Sequence, residues 1–156
     1  MSNTFLTYTG IGVLFLFLQL LVFRHLEFFG IQTDVVFIYL LWLCTQTERT
    51  SALIITIILS FASDILFDTW GVHLFSKTLI ILMVHGFVSR QAENILQPIQ
   101  VFSLLLVISL IYNVIYLAIA VFAGLFSFES FFIKYWVGNS VYIAITGTFF
   151  YLLKPE

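Results

Sequence analysis

Ser60–His85, SFASDILFDTWGVHLFSKTLIILMVH, is the stretch on which the fold turns. Two apolar runs of helical length fold back on each other at Asp68-Thr69-Trp70-Gly71, and between them they carry the densest set of ionisable residues in the chain. Asp64 and Asp68 are four residues apart, as are His73 and Lys77, so each pair shares one face of a helix. A hairpin symmetric about Trp70 and Gly71 sets Asp64 opposite Lys77, Asp68 opposite His73 and Thr56 opposite His85. In that register the acids of one arm neutralise the bases of the other within lipid. Gly71 is expected at positive φ, the backbone state that a tight reversal needs and that glycine adopts without strain.

Composition sets the surroundings of this hairpin. Of 156 residues, 62% are hydrophobic and 9% charged, with a mean hydropathy of +1.12. A soluble domain carries about 25% charged residues, so this chain lacks the charge to wet a surface. It reads as an all-α integral membrane protein, residues 1–156 forming one polytopic domain. A net charge of −2 and the absence of any basic run exclude nucleic acid as a partner. Cys44 is the single cysteine. It has no internal disulfide partner and no companions for a thiolate metal site, and reads as packing. Met1-Ser2-Asn3-Thr4 has no positive charge of the kind that precedes a cleaved signal, so the first apolar run is expected to stay as a span.

Outward from the hairpin, six apolar segments are expected. The first runs from Phe5 to Phe23, the ~20 residues that a crossing requires, and ends at Arg24, His25 and Glu27. The second, Asp34 to Glu48, has an apolar core only from Val35 to Cys44, too short at ~1.5 Å per residue for a ~30 Å hydrocarbon layer. Either Asp34 is drawn inside and shielded by protein, or the segment spans part of the depth. Segments three and four are the hairpin arms, Ser51–Phe67 and Val72–Val88. Ser89–Asn94 is an aqueous loop, and Pro98 suits the first turn of the next helix. Segment five, Ile99–Phe126, exceeds the membrane thickness and should tilt or project. Segment six is Phe131–Leu153.

Six spans put both termini on one side with Arg49, Arg90 and Lys154, against Arg24 and Lys134 on the other, which makes the termini cytoplasmic. Trp70, Tyr135 and Trp136 form an aromatic belt on the far face, Tyr8 and Tyr151 on the near one. Asn113 and Asn139 are amides in lipid that should bond across helices. Ala118, Ala120, Ala123, Gly124, Gly138, Ala144 and Gly147 allow close helix approach.

Ionisable side chains at membrane depth cost about 2.5–3.5 kcal/mol each on insertion scales. Asp64, Lys77 and His85 therefore ask for a reason. A binding pocket or proton path is one; mutual satisfaction between helices is the other and the one adopted, because a paired, hydrogen-bonded set offsets its own cost. Asp68, His73 and Ser76 include the residue types of a hydrolytic triad, but nothing resembles a nucleophile turn. No ligand motif of metal-binding spacing is present. Catalytic, cofactor and metal sites are thus all read as none. The structural or partner-binding candidates are Asp34, Asp64, Asp68, Trp70, Gly71, His73, Lys77 and His85.

The order of these residues resembles a known family. Asp34-Val35-Val36 leads into a short span ending near Trp42, then a turn at Glu48-Arg49, Asp64-Ile65-Leu66, and Gly71-Val72-His73. This resembles the MreD rod-shape proteins of bacteria, from about Asp34 to Val88, with the last third similar in hydropathy. The resemblance implies a non-enzymatic scaffold of the inner membrane that takes part in cell-wall elongation and cell shape. It further implies an MreC-like bitopic partner and, through it, the MreB filament, RodA and a penicillin-binding transpeptidase. The family is similar in architecture to the substrate-binding membrane subunits of energy-coupling-factor vitamin transporters. That supplies the alternative function, with Trp70, His73, Asp68 and Tyr135 lining a vitamin pocket.

Overall fold

The computed structural model describes residues 2–23, 25, 31, 33–92, 94, 96–125 and 131–153, and the described elements are all helical. They are α1 (Ser2–Leu18, continued by a π-helical turn over Gln19–Phe23), α2 (Val35–Gln46), α3 (Arg49–Phe67), α4 (Val72–Gln91), α5 (Pro98–Phe122) and α6 (Phe131–Leu152). Thr4–Phe23, α3, α4 and α5 are each long and apolar enough to cross a membrane. Their existence follows from unbroken apolar runs that leave the backbone no partner but itself. α6 is 22 residues long but interrupts its apolar pattern with Lys134, Gly138, Asn139 and Ser140.

Several boundaries move from their expected places. α4 continues through Gln91, so Ser89–Gln91 belongs to the helix and the loop begins at Ala92. α5 ends at Phe122, earlier than the expected Phe126, which lies outside the described residues, as do Arg24, Glu27 and Lys154. At its other end Pro98 occupies the first turn, where a missing N–H is harmless, and Gln97 and Gln100 form a reciprocal cap.

α2 forms the centre. Val35 to Leu41, Leu43 and Cys44 are all buried, and a helix apolar all round must be enclosed. α1, α3, α4 and α6 pack directly around it. With 12 residues it is about 18 Å long. Asp34 at its N-terminus is 8% exposed. Of the two readings for this segment, protein shielding of Asp34 is the one observed. Cys44 is buried here as a packing residue.

Side-chain contacts give the helix directions. Gln19 reaches Val36 while Tyr39 donates to the Tyr8 carbonyl, so α1 and α2 run antiparallel. Asp34 meets Lys77 and Thr47 meets His85, so α2 and α4 run parallel. Tyr151 bonds Leu96 and Asn113 bonds Ser140, so α5 and α6 are antiparallel. Each helix therefore reverses the one before it. The start of α1, the α4–α5 connection and the end of α6 share one end of the bundle. The Asp68–Gly71 turn lies at the other.

Between helices in lipid there is no hydrophobic gain, so close packing and hydrogen bonds hold them. Among the described glycines Gly12 makes the tightest approach, a Cβ there colliding with Leu59 Cδ1. Gly147 and Gly138 press on Leu105 and Ile31 in the same way, as expected of small residues. Ala120 and Ala144 are fully buried. Ala118, Ala123 and Gly124 are exposed and do not serve helix approach; Gly124 instead takes positive φ (74°) past the end of α5. Asn113 donates to Ser140 Oγ at 2.9 Å and Ser109 to the Ser140 carbonyl at 3.1 Å, so the expected amide bond across helices is present.

Candidate functional site

A buried helix N-terminus carries unpaired N–H groups and a positive partial charge. Lipid supplies no partner, so the chain must. Asp34 does so for α2: Oδ1 accepts from Phe37 N at 2.9 Å, while Gln19 Oε1 takes Val36 N at 3.0 Å. A carboxylate placed there needs a countercharge, and α4 provides Lys77. Its Nζ lies 2.9 Å from Asp34 Oδ2 and 3.1 Å from Oδ1 and is wholly buried. α5 adds Tyr112, whose hydroxyl donates to Oδ2 at 2.7 Å, its ring stacked on Phe37 at 4.0 Å. One carboxylate thus ties α2, α4 and α5 together.

The other end of α2 is held from the same helix. His85 Nε2 lies 3.1 Å from the Thr47 carbonyl at the C-cap. α4 therefore grips both ends of α2, with Lys77 at one and His85 at the other.

This overturns the expected register of the hairpin. Lys77 pairs with Asp34, not Asp64; His85 meets Thr47, not Thr56, whose hydroxyl turns back to the Ala52 carbonyl. Asp68 makes no bond with His73, being exposed in the turn. The cause lies in the first turn of α4. Asp64 accepts from His73 N at 2.9 Å and Leu74 N at 2.8 Å, and from the Thr69 hydroxyl. Capping α4 places Asp64 about one helical turn short of Lys77. His73 and Lys77 do share one face of α4, and that face points at Asp34.

The turn itself is more strained than expected. Gly71 has φ 90°, as anticipated, but Asp68 (φ 54°) and Trp70 (φ 49°) are also left-handed. For non-glycine residues that conformation costs of order 1 kcal/mol or more, and the Asp64 bonds hold it. Trp70 projects, 84% exposed. Of the other two residues assigned to that aromatic belt, Trp136 donates inward to the Leu110 carbonyl at 2.9 Å and Tyr135 lines a cavity.

That cavity, of about 480 Å³, opens between the turn and the ends of α2, α5 and α6. Asp34, Asp68, His73 and Tyr135 face it, along with Thr33, Tyr112, Asn113 and Tyr116. Tyr112, Gln19 and Thr33 also join the site, and no spacing or motif in the sequence points to them. Nothing in the sequence position of Tyr112 specifies Asp34 as its partner. The triad residue types do not assemble: Ser76 is fully buried and donates to the Val72 carbonyl.

A second, apolar groove of about 620 Å³ lies at the opposite end, among α1, α2, α5 and α6. Among the described residues α1 makes no close backbone approach to α5 or α6. Ile38, Tyr39 and Trp42 line the groove, together with Gln46, Gln91 and Asn94.

Comparison with protein-family models, with characterised proteins and with solved structures gives no match.

Proposed function

We propose that this protein is a non-enzymatic scaffold of the bacterial inner membrane that serves cell-wall elongation by holding a single-span, MreC-like partner. Through that partner it joins the MreB filament, RodA and a penicillin-binding transpeptidase. All six helices lie in the membrane in this reading, α2 incompletely, in an architecture similar to that of energy-coupling-factor substrate-binding subunits.

One observation carries it: polar and apolar features are segregated. Lys77, Asp34 and Tyr112 satisfy one another, and Asp64 is consumed in capping α4. Such a set makes the bundle rigid. At the same time α1 is only 11% buried over its apolar window, against 39–44% for α3, α4 and α5. Its uncovered side includes Gly10, where nothing lies within 4 Å of a Cβ position. A small residue on an uncovered helix face lets a second helix approach closely.

Co-purification in mild detergent with the wall-elongation partner is the direct measurement. Gly10→Leu should reduce recovery of the partner without changing the yield of this protein, and depletion should turn rod-shaped cells round. The reading fails if no wall-elongation protein co-purifies while thiamine, riboflavin or biotin binds tightly. That outcome belongs to the second reading, a vitamin-binding transporter subunit, which the polar cavity at the turn favours.

Topology gives a further expected result. The start of α1, the end of α6 and the α4–α5 connection share one end of the bundle, and the Lys/Arg distribution supports a cytoplasmic placement of that end. With Cys44 replaced, single cysteines at Ser2, Asn94 and Ser127 are exposed to an impermeant thiol reagent on intact spheroplasts. Only the one at Ser127 should label. Labelling at Ser2 or Asn94 alone would overturn the six-helix crossing pattern.

A further inference from the structure

The polar cavity beside the Asp68–Gly71 turn has a chemistry that the scaffold reading does not use. Among the described residues its wall includes two carboxylates, Asp34 and Asp68, and no Lys or Arg. Lys77 already neutralises Asp34 from behind. Asp68 is exposed and leaves the site with a negative charge that no Lys or Arg among the described lining residues offsets. An anion placed there meets repulsion and no positive partner.

The rest of the wall is aromatic and rich in acceptors. Phe67, Tyr112, Tyr116 and Tyr135 surround the space, with the Tyr116 ring 5.0 Å from that of His73. Aromatic faces attract cations, organic ammonium groups above all. Among the described residues two polar atoms here have no hydrogen-bond partner: Thr33 Oγ1, and His73 Nδ1, which lies 4.0 Å from Asp34 Oδ2. Both residues line the cavity, at 3% and 8% exposure. Buried polar atoms are ordinarily satisfied, so these two point to an occupant. At about 480 Å³ the space falls within the range for small-molecule sites.

We infer that this cavity binds an organic ammonium group, with Asp68 supplying the countercharge and the tyrosine faces the cation–π contact. The group is carried on a free small molecule or on the headgroup of a membrane lipid. The site is separate from the apolar groove and stands whether or not the groove holds a partner helix.

The test uses the full chain in nanodiscs of phosphatidylglycerol alone, titrated calorimetrically with choline and with its neutral isostere 3,3-dimethylbutanol. Choline should bind about tenfold or more tightly than the isostere. Asp68→Asn, which tolerates the left-handed backbone, and Tyr116→Leu should each remove that preference. Adding phosphatidylethanolamine to the discs separates the sources. Weakened choline binding assigns the site to a lipid headgroup; unchanged binding assigns it to a free ligand. Equal binding of the two probes, no binding of either, or an Asp68→Asn protein that still prefers choline overturns the inference and leaves a water-filled cavity.

Discussion

Replacing Asp34 by alanine should destabilise the protein by about 3–5 kcal/mol, the loss that follows when one partner of a buried ion pair is removed. Lys77 is 0% exposed and would be left with its charge uncompensated. The flexible lysine stem can carry the ammonium toward the nearby cavity, which moves the loss to the lower end of that range. Two further bonds go with the carboxylate: the cap on Phe37 N and the Tyr112 hydroxyl. The double variant Asp34→Asn with Lys77→Met is the informative one. It removes both charges, keeps an amide oxygen for Phe37 N and conserves volume in the interior. Its stability in a denaturant titration of detergent-solubilised protein should recover most of the loss. A double variant no better than the sum of the two singles would show that the pair is not coupled.

Asp64→Ala should cost about 4–5 kcal/mol, the lower end for three bonds to a charged acceptor at roughly 1.5–3 kcal/mol each, because three donors lose theirs together. Those donors are His73 N, Leu74 N and the Thr69 hydroxyl. The damage should be local. Asp68 and Trp70 would no longer be held at positive φ, so amide exchange should accelerate from Asp68 to Leu74 before it does in α2. Asp64→Asn, retaining one oxygen, should fall between the two. Combining Asp64→Ala with Lys77→Ala should give losses additive to within about 0.5 kcal/mol. Strong coupling between those two would instead restore the direct Asp64–Lys77 pairing expected of a symmetric hairpin.

The contrast between these two acids shows where sequence reading stops. Hydropathy alone determined an all-helical chain with membrane-length apolar elements, because a backbone in lipid must bond to itself wherever it lies in the chain. Local chemistry likewise determined Gly71 at positive φ, Pro98 in a first helical turn, and His73 with Lys77 on one face. It also identified Asn113 as a bond between helices, and Asp34, Asp64 and Lys77 as groups in need of partners. Only the tertiary structure decided which partner each one found. Lys77 faces α2 rather than α3, Asp64 is committed to the α4 N-terminus, and the shortest apolar segment is the centre of the bundle. Choice of partner depends on the rotation and register of whole helices, set by shape contacts such as Gly12 against Leu59. A slip of one helical turn leaves every apolar face apolar, so the sequence pattern is the same for either pairing. What separates them is the unpaired N–H groups at two buried helix starts, each of which had to claim its own aspartate.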